Sequence, residues 1–409
     1  MNQAGYKVYG YRWIMLLVFM LAIAINQLNW ITFAAITSDA VDFYGVPDLS
    51  IGLLSMVFMI VYIFISFPAS WIIDTYGIRV AVGIGAALTG IFGLMRGFVA
   101  DSYTWVLVAQ IGIAIGQPFI LNAITTVAAR WFPQNERATA SGLGSLAMYL
   151  GIVIGLVLTP FLTIQMGIKS MLITYGVIAI ITAVVFFVLA REKPATPPCP
   201  PEMEVRSLVV DGLKQLFHTR DFIFLLVIFF IGLGTFNAVT TWIENIVRPS
   251  GLSSTQAGLI GGLMIVGGIV GALVLPTLSD HYRKRIPFIL LALVGATLGL
   301  VGITFFHNYA LLLVAAFVLG FFLLSAGPIG FQYGAEITYP TPEGTSNGLL
   351  LLMGQISGII FIFAMDSLKS PGTGSMTFSL VVLIGLMVLG LLLGSRLKEP
   401  KAMLTEKKD

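Results

Sequence analysis

The sequence predicts an all-α membrane protein with twelve transmembrane helices in two pseudo-symmetric halves of six. Three observations lead to this prediction. Apolar residues make up 57% of the 409 residues and charged residues only 10%, against about 25% charged residues in a soluble domain. The apolar residues lie in runs of about 20, long enough to cross a bilayer. Two loop motifs of the first half recur in the second half at nearly the same spacing.

The apolar runs predict twelve spans, numbered 1 to 12 along the chain. They lie near residues 13–36, 50–72, 79–99, 104–130, 138–162, 168–190, 221–246, 254–278, 286–306, 309–335, 346–368 and 375–396. The proline-rich stretch 191–220 separates span 6 from span 7 and predicts a linker. We therefore expect a six-helix half over 1–190, a cytoplasmic linker over 191–220, a second half over 221–396 and a cytoplasmic tail over 397–409.

Lysine and arginine accumulate on the cytoplasmic side of membrane proteins. With the N-terminus inside, 18 of the 22 lysines and arginines fall on the cytoplasmic side. The exceptions are Arg96, Lys169, Arg248 and Lys369. We therefore expect a multi-pass protein of the cell membrane, plasma or inner, with both termini in the cytoplasm.

Several functional classes find no support in the residues. The single cysteine, Cys199, allows no internal disulfide, and the three histidines have no metal-ligand spacing. A net charge of +3 does not indicate a nucleic-acid partner. No nucleophile–base constellation indicates an enzyme, and scattered amides do not form the continuous polar path of a channel. We expect no metal, no cofactor and no nucleic acid, and a monomer that binds a small-molecule substrate within the lipid bilayer.

An internal repeat relates the two halves. The loop after span 2 begins at Asp74, and a similar loop after span 8 begins at Asp280, 206 positions later. At the ends of spans 4 and 10, Glu136 and Glu343 match at a spacing of 207. Two separate loops with almost one spacing indicate parallel repeats of six helices.

The acidic loop motif between spans 2 and 3, repeated between spans 8 and 9, resembles that of the major facilitator superfamily. The first copy, Asp74-Thr-Tyr-Gly77-Ile-Arg79, lacks the glycine that usually precedes its core by six positions. The resemblance implies the major facilitator fold and transport by rocking of the two halves. It also implies that spans 1, 4, 7 and 10 line a central cavity.

Shorter segments resemble one branch of that superfamily, the feline leukaemia virus subgroup C receptors. They include Asn26-x-x-Asn29-Trp30-Ile31, Gln117-x-Phe119-Ile120-Leu121 and Glu336-x-Thr338-Tyr339-Pro340-x-x-Glu343-Gly344-Thr345-Ser346, with Gln355 following. The resemblance implies transport of choline, ethanolamine or haem.

Polar side chains in the middle of a span are costly unless they face a cavity or a neighbouring helix. Span 1 carries three such candidates and Phe33 at helical spacing on one face, and spans 4, 7 and 11 each carry an amide near the middle. Interhelical hydrogen bonding is the alternative role for each amide. The candidates for substrate contact, with Met59 added by the resemblance, are Asn26, Asn29, Trp30, Met59, Gln117, Asn237 and Gln355.

One position departs from the branch. The resemblance implies that a tyrosine of span 7 and the tryptophan of span 1 enclose a quaternary ammonium group, but here Asn237 stands in place of the tyrosine. Trp242 or Phe236 could supply the missing wall. Choline recognition therefore stays open.

Charged residues at the cytoplasmic loops are candidates for gating. Helix N-termini favour anions, so we expect Asp74 to lie against the start of span 11 and Asp280 against the start of span 5. Solvated loop charges are the alternative. The gating candidates are Asp74, Arg79, Arg137, Asp280 and Glu343.

No acidic residue is predicted near the middle of a span. Glu244 and Asp366 fall near the outer ends of spans 7 and 11, and they are the candidates for coupling to protons. Arg96, near the outer end of span 3, is expected to extend to the membrane interface. The sequence therefore favours uniport of an organic cation. A proton-coupled exporter and a carrier of organic anions, haem or vitamins remain as alternatives.

Overall fold

A computed structural model describes residues 7–133, 136–198, 216–338 and 343–399, except for the side chains of 343–345. All regular secondary structure in these residues is helical. The chain divides into two compact units, Met1–Val205 and Arg206–Asp409. Most of the predicted linker and tail, and the Glu343 side chain, lie outside the described part.

Within the described part, eleven helices are long and apolar enough to cross a membrane. In the N-terminal half these helices are Tyr11–Ile31, Asp48–Tyr76, Ile78–Phe98, Tyr103–Leu121 continued by Ile124–Trp131, and Arg137–Leu189. In the C-terminal half they are Arg220–Thr241, Ser254–Tyr282, Ile286–Phe305, Tyr309–Thr338, Glu343–Ser367 and Thr377–Gly394.

The 53-residue helix Arg137–Leu189 contains two spans. Gly167 interrupts it with a φ of 78° and a ψ of 164°. A residue with a Cβ rarely adopts this backbone conformation, whereas glycine does so readily. The segments on either side are spans 5 and 6, and the described part of the chain thus has the twelve spans that the sequence predicts.

Three spans end or break where hydropathy does not indicate it. Span 1 ends at Ile31 rather than near 36, and span 7 ends at Thr241 rather than near 246. Buried apolar residues follow each of these ends, Phe33 to Ile36 after span 1 and Trp242 and Ile243 after span 7, so hydropathy does not mark where the helix stops. Span 4 breaks at Asn122, whose side-chain amide donates to the Oγ atoms of Ser66 and Ser70 at 3.0 Å each.

The spans pair in the same way within each half. Spans 1 and 3 pack against the helix Arg137–Leu189, and span 4 packs against spans 2 and 3. In the C-terminal half, span 7 packs against span 11, span 9 against span 12, and span 10 against spans 8 and 9. This shared order of packing agrees with the parallel repeat that the two loop motifs predict.

Candidate functional site

Two polar residues of span 1 are held by the neighbouring helices of the N-terminal half. The indole Nε1 of Trp30 donates to the backbone oxygen of Ser55 in span 2 at 3.1 Å. The side-chain Nδ2 of Asn26 donates to Oγ1 of Thr89 in span 3 at 3.0 Å. Both Trp30 and Asn26 are buried. Span 1 is therefore fixed against spans 2 and 3 at two of its three positions predicted to contact substrate.

Arg96 is completely buried, so the prediction that it extends to the membrane interface is wrong. Its Nη1 donates to the backbone oxygen of Asn29 at 3.1 Å and to Oε1 of Gln110 at 2.8 Å. Its Nη2 donates to Oδ1 of Asn29 at 2.6 Å, and Nε is buried without a hydrogen-bond acceptor among the described residues. Hydropathy could not reveal that neutral oxygens of spans 1 and 4 lie within reach of this guanidinium.

Arg96, Asn29 and Gln110 form a buried polar cluster, called the Arg96 cluster, in which both polar atoms of the Asn29 side chain are hydrogen-bonded. Asn29 donates from Nδ2 to the backbone oxygen of Ile25 at 2.7 Å, while its Oδ1 accepts from Arg96. Gln110 donates from Nε2 to the backbone oxygen of Leu54 at 3.1 Å, one residue before Ser55. Asn29 thus accepts hydrogen bonds from Arg96 in this structure. The cluster links spans 1 to 4 next to Trp30.

The other two N-terminal candidates, Met59 and Gln117, are also buried. No hydrogen bond joins the Gln117 amide to another described residue. One turn beyond Met59, the hydroxyl of Tyr62 donates to Oδ1 of Asn122 at 2.6 Å, at the break in span 4. Gln117 thus carries a free amide donor and a free acceptor close in sequence to that break.

In the C-terminal half, Asn237 and Gln355 come from spans 7 and 11. The Nδ2 atom of Asn237 donates to the backbone oxygen of Gly354 at 3.1 Å, which brings Asn237 next to the residue before Gln355. Trp242 is fully buried, and its Nε1 donates to the backbone oxygen of Ile362 at 3.0 Å. Trp242 therefore binds span 11 through its indole N–H.

The two candidates for coupling differ in their surroundings. Glu244 lies in the short helix Ile243–Val247 after span 7 and is only 3% exposed. The adjacent Asn245 is fully buried, and its side-chain oxygen and nitrogen have no hydrogen-bond partner among the described residues. Asp366 forms an ion pair with Lys369 at 2.8 Å.

Two glutamates that were not among the candidates bind the starts of spans 3 and 9. The Glu192 carboxylate accepts from the backbone N–H of Ile78 at 3.1 Å and of Arg79 at 2.8 Å, and it pairs with Arg130. Glu399 accepts from the backbone N–H groups at the equivalent positions, Arg285 and Ile286. The two glutamates are 207 positions apart, so the repeat spacing was the signal that could have found them.

The gating candidates occupy several environments. Asp74 is exposed. The guanidinium of Arg79 reaches the backbone oxygen of Phe187 at 3.4 Å, and that of Arg137 donates to the backbone oxygen of Ala129 at 2.9 Å. Asp280 forms an ion pair with Arg285. The predicted contacts of the two aspartates with spans 11 and 5 stay predictions.

Arg285 is the centre of an ionic cluster at the start of span 9. It pairs with Asp280 and, through Nη2, with Oε1 of Glu336 at 2.9 Å. Burial lowers the pKa of Arg285, but hydrogen bonds and charge attraction from Glu336 and Asp280 outweigh this, and the pKa is raised. The Arg285 guanidinium therefore stays charged at any physiological pH.

Comparison with known proteins gives a consistent result. The family model of the Major Facilitator Superfamily matches residues 14–362. Solute carrier family 49 member A3 of Xenopus tropicalis is 31% identical over 390 residues, which are 90% of this chain and 80% of that protein. The choline/ethanolamine transporter flvcr2b of Danio rerio is 29% identical over 407 residues, 94% of this chain and 84% of that protein. The mouse choline/ethanolamine transporter FLVCR1 is 29% identical over 93% of this chain and 75% of its own.

Solved structures with the same fold are more distant in sequence. An inward-facing, unoccupied bacterial homologue of the human lysosomal transporter Spinster superposes with a TM-score of 0.74 at 16% identity. The match covers 96% of this chain and 98% of that one. The nucleoside transporter NupG superposes with a TM-score of 0.71 at 14% identity, covering 94% and 99% of the two chains. At these identities the likeness concerns the fold alone.

Proposed function

Since this chain belongs to the major facilitator superfamily of membrane transporters, we propose that it carries a small organic cation of the choline and ethanolamine type by uniport. Relatives named choline/ethanolamine transporters align over 93–94% of this chain at 29–30% identity. The substrate contacts that we propose are Asn26, Trp30, Met59 and Gln117 in one half, and Asn237 and Gln355 in the other.

Trp30 carries the proposal. Its only hydrogen-bond donor is engaged by the backbone oxygen of Ser55, so what the indole can still offer a ligand is its π surface. A cation over an indole ring gains about 0.5–2 kcal/mol, most when both are desolvated. Because the attraction needs no counter-charge, it suits a weakly hydrated organic cation in a region of the chain without predicted acids.

An organic anion fits these residues less well. Anion recognition requires hydrogen-bond donors, and Asn26, Trp30 and Asn237 each already donate one N–H to a protein oxygen. Arg96 is a buried cation of span 3, and its guanidinium already donates to the side-chain oxygens of Asn29 and Gln110. A carrier of haem or carboxylates could not use the indole N–H of Trp30 without breaking its bond to Ser55.

Uptake and binding of radiolabelled choline and ethanolamine by the purified full chain in proteoliposomes tests the proposal. We expect saturable uptake, which Trp30→Ala abolishes and Trp30→Phe retains in part, because phenylalanine keeps a weaker π surface. Trp105→Ala is the matched control, since Trp105 is an exposed tryptophan of span 4 in the same half. Absence of saturable uptake of either amine would exclude the proposed substrate class.

A proton-coupled exporter is the second candidate function, and the burial of Glu244 favours it. A carboxylate that is 3% exposed beside the fully buried Asn245 could bind and release a proton as its surroundings change. Uniport is still the better supported mechanism, because no acid lies among the proposed substrate contacts. The two mechanisms differ in whether a pH step drives accumulation.

We also propose that the chain lies in a cell membrane with both termini in the cytoplasm, on the basis of its lysine and arginine distribution. Cys199 is the sole cysteine of the chain and falls within the predicted cytoplasmic linker. An impermeant maleimide should therefore label it in inside-out vesicles and not in intact cells. Labelling of intact cells would reverse the proposed orientation.

A further inference from the structure

The proposed substrate contacts share an asymmetry between hydrogen-bond donors and acceptors. Asn26 donates from Nδ2 to Thr89 Oγ1 at 3.0 Å, and the Thr89 hydroxyl itself donates to the backbone oxygen of Gly85 at 2.8 Å. Because the only proton of Thr89 is used on Gly85, its oxygen can only accept from Asn26. This chain of bonds fixes the orientation of the Asn26 amide, with nitrogen toward Thr89.

The oxygen of the same amide is left without a donor. Asn26 is fully buried, and no described residue donates to its Oδ1. A buried carbonyl oxygen without a hydrogen bond is uncommon, because the protein has given up the water that bonded it. A ligand with a hydrogen-bond donor is one group that can satisfy this atom.

The C-terminal half, taken separately, repeats the pattern. Asn237 donates from Nδ2 to the backbone oxygen of Gly354 at 3.1 Å. Since a backbone carbonyl only accepts, the nitrogen of this amide must face Gly354, and no described residue donates to the remaining Oδ1. Trp30 likewise has its single donor on Ser55. In each half an asparagine oxygen is thus left to accept from a ligand, next to the π surface of Trp30 in the first half, while each amide nitrogen keeps one further N–H.

We infer that this chain prefers ammonium substrates that carry N–H groups, primary amines above all, to fully methylated ammonium. The inference rests on the proposed function, that the chain carries organic cations. A primary ammonium has three donors for such acceptors, whereas a trimethylammonium has none and would cover the oxygens with methyl groups. A site whose buried polar atoms lose their partner discriminates more strongly than one that loses only apolar contact.

In the first half, Gln117 fits the other end of such a substrate. The amides of Gln117 and Gln355 make no hydrogen bonds to described residues, so each keeps both a donor and an acceptor. A hydroxyl group also donates and accepts, and it pairs with an amide in either direction. Within the first half, the Asn26 oxygen, the Trp30 π surface and the Gln117 amide thus match a small amino alcohol with an unmethylated nitrogen.

A methylation series measures this preference directly. Binding of ethanolamine, N-methylethanolamine, N,N-dimethylethanolamine and choline to the purified full chain is compared by calorimetry at pH 7. All four are cations at this pH, and each step of the series replaces one N–H group by an N–CH3 group. We expect the affinity to fall at each step, by about tenfold or more from ethanolamine to choline, since a hydrogen bond to a charged group contributes appreciably to binding.

A variant separates the oxygen of Asn26 from the general shape of the site. Asn26→Leu keeps a similar volume without the oxygen, and we expect it to flatten the series by weakening ethanolamine more than choline. Thr159→Val is the control: it removes one buried hydrogen bond of the same half, Thr159 to Tyr175 at 2.9 Å, and should leave the series unchanged.

The outcomes are distinguishable without the variants. Equal affinity across the four ligands, or tightest binding of choline, would overturn this inference and leave the proposed function standing. Binding of none of the four would overturn the proposed function, and the inference with it. A graded loss with methylation that Asn26→Leu does not alter would exclude Asn26 as the selecting acceptor.

Discussion

Glu399 holds the start of span 9 through Arg285: both carboxylate oxygens accept from the backbone N–H of Arg285 at 3.1 Å. Oε1 also accepts from the N–H of Ile286 at 3.0 Å. The first half contains the same arrangement 207 positions earlier, where Glu192 binds the N–H groups of Ile78 and Arg79. In each half a glutamate a few residues beyond the last span thus caps the N-terminus of the third span.

Neutralising either glutamate should destabilise its half. Glu399→Gln and Glu192→Gln remove the negative charge from a helix N-terminus, an interaction that contributes about 0.3–1 kcal/mol when exposed and up to about 2 kcal/mol when partly buried. Glutamine also replaces one acceptor oxygen with an amino group that cannot accept. We expect the unfolding temperature of the purified protein to fall by a few degrees for either variant, in thermal denaturation monitored by intrinsic fluorescence.

Asp101→Asn provides the comparison for this pair. Asp101 is an acid with 69% of its side chain exposed, paired with Lys169, and exposed ion pairs contribute little. The unfolding temperature of the Asp101→Asn variant should match that of the unaltered chain. If Asp101→Asn lowers stability as much as the two glutamine variants do, the effect reflects loss of a surface charge and not of helix capping.

Gly77 should tolerate no side chain, for two reasons that act together. Its φ of 94° is rarely adopted by other residues, and a Cβ at this position would overlap the Glu192 carboxylate. We expect Gly77→Ala to cost about 1–3 kcal/mol, the range for a residue held in a sparsely populated backbone conformation. Gly142→Ala is the control and should raise the stability, since a Cβ there meets nothing within 4 Å and alanine is preferred to glycine in helices.

Much of the fold could be predicted because apolar runs and loop repeats are properties of the sequence itself. The ends of spans 1 and 7 could not, since Phe33 and Ile243 remain buried after the helix has ended. Hydropathy records which residues avoid water. It does not record where the backbone stops being helical.

The candidate site shows a similar division. Helical periodicity places Asn26 and Trp30 on one face, but their partners are a threonine hydroxyl and a backbone oxygen on other helices. Such partners depend on the depth at which span 1 packs against its neighbours. The sequence could not place Arg96 inside the protein for the same reason, because its acceptors are neutral and belong to spans 1 and 4.

Replacing Arg96 should perturb both stability and substrate binding. Arg96→Met leaves Oδ1 of Asn29 and Oε1 of Gln110 buried without a donor, at about 1–3 kcal/mol for each unsatisfied group. Because Asn29 precedes Trp30, we also expect weaker substrate binding. Arg96→Lys should recover part of the stability, since an ammonium group supplies donors but cannot match the planar guanidinium.

Lys169→Met tests whether loss of any outer cation gives the same result. Lys169 is 47% exposed and bound to Asp101, and its replacement should leave both unfolding temperature and affinity unchanged. Arg96→Met with unaltered affinity would show that the Arg96 cluster stabilises the fold without positioning Trp30.

Asp74→Asn should slow transport and leave substrate affinity nearly unchanged. Asp74 is exposed at the end of span 2, and we predict that it acts on the balance between conformations rather than on substrate. Initial rates of uptake in proteoliposomes and equilibrium binding in detergent measure the two quantities separately. A large loss of affinity, with an unaltered distribution of conformations in distance measurements between spin labels, would remove Asp74 from the gate.

Transport should not require a proton gradient. Coupling needs a group near the substrate that gains and loses a proton as the conformation alternates, and the proposed contacts contain amides, a thioether and an indole. Accumulation of a cation would then follow membrane potential alone, at about 2.3 kcal/mol per charge for each 100 mV. The measurement is uptake into proteoliposomes under an imposed pH step at clamped voltage.

The expectation depends on two acids: Glu244, buried near the end of span 7, and Asp366, paired with Lys369. Accumulation that collapses with a protonophore and is lost in Glu244→Gln, but kept in Asp366→Asn, would replace uniport by proton coupling through Glu244.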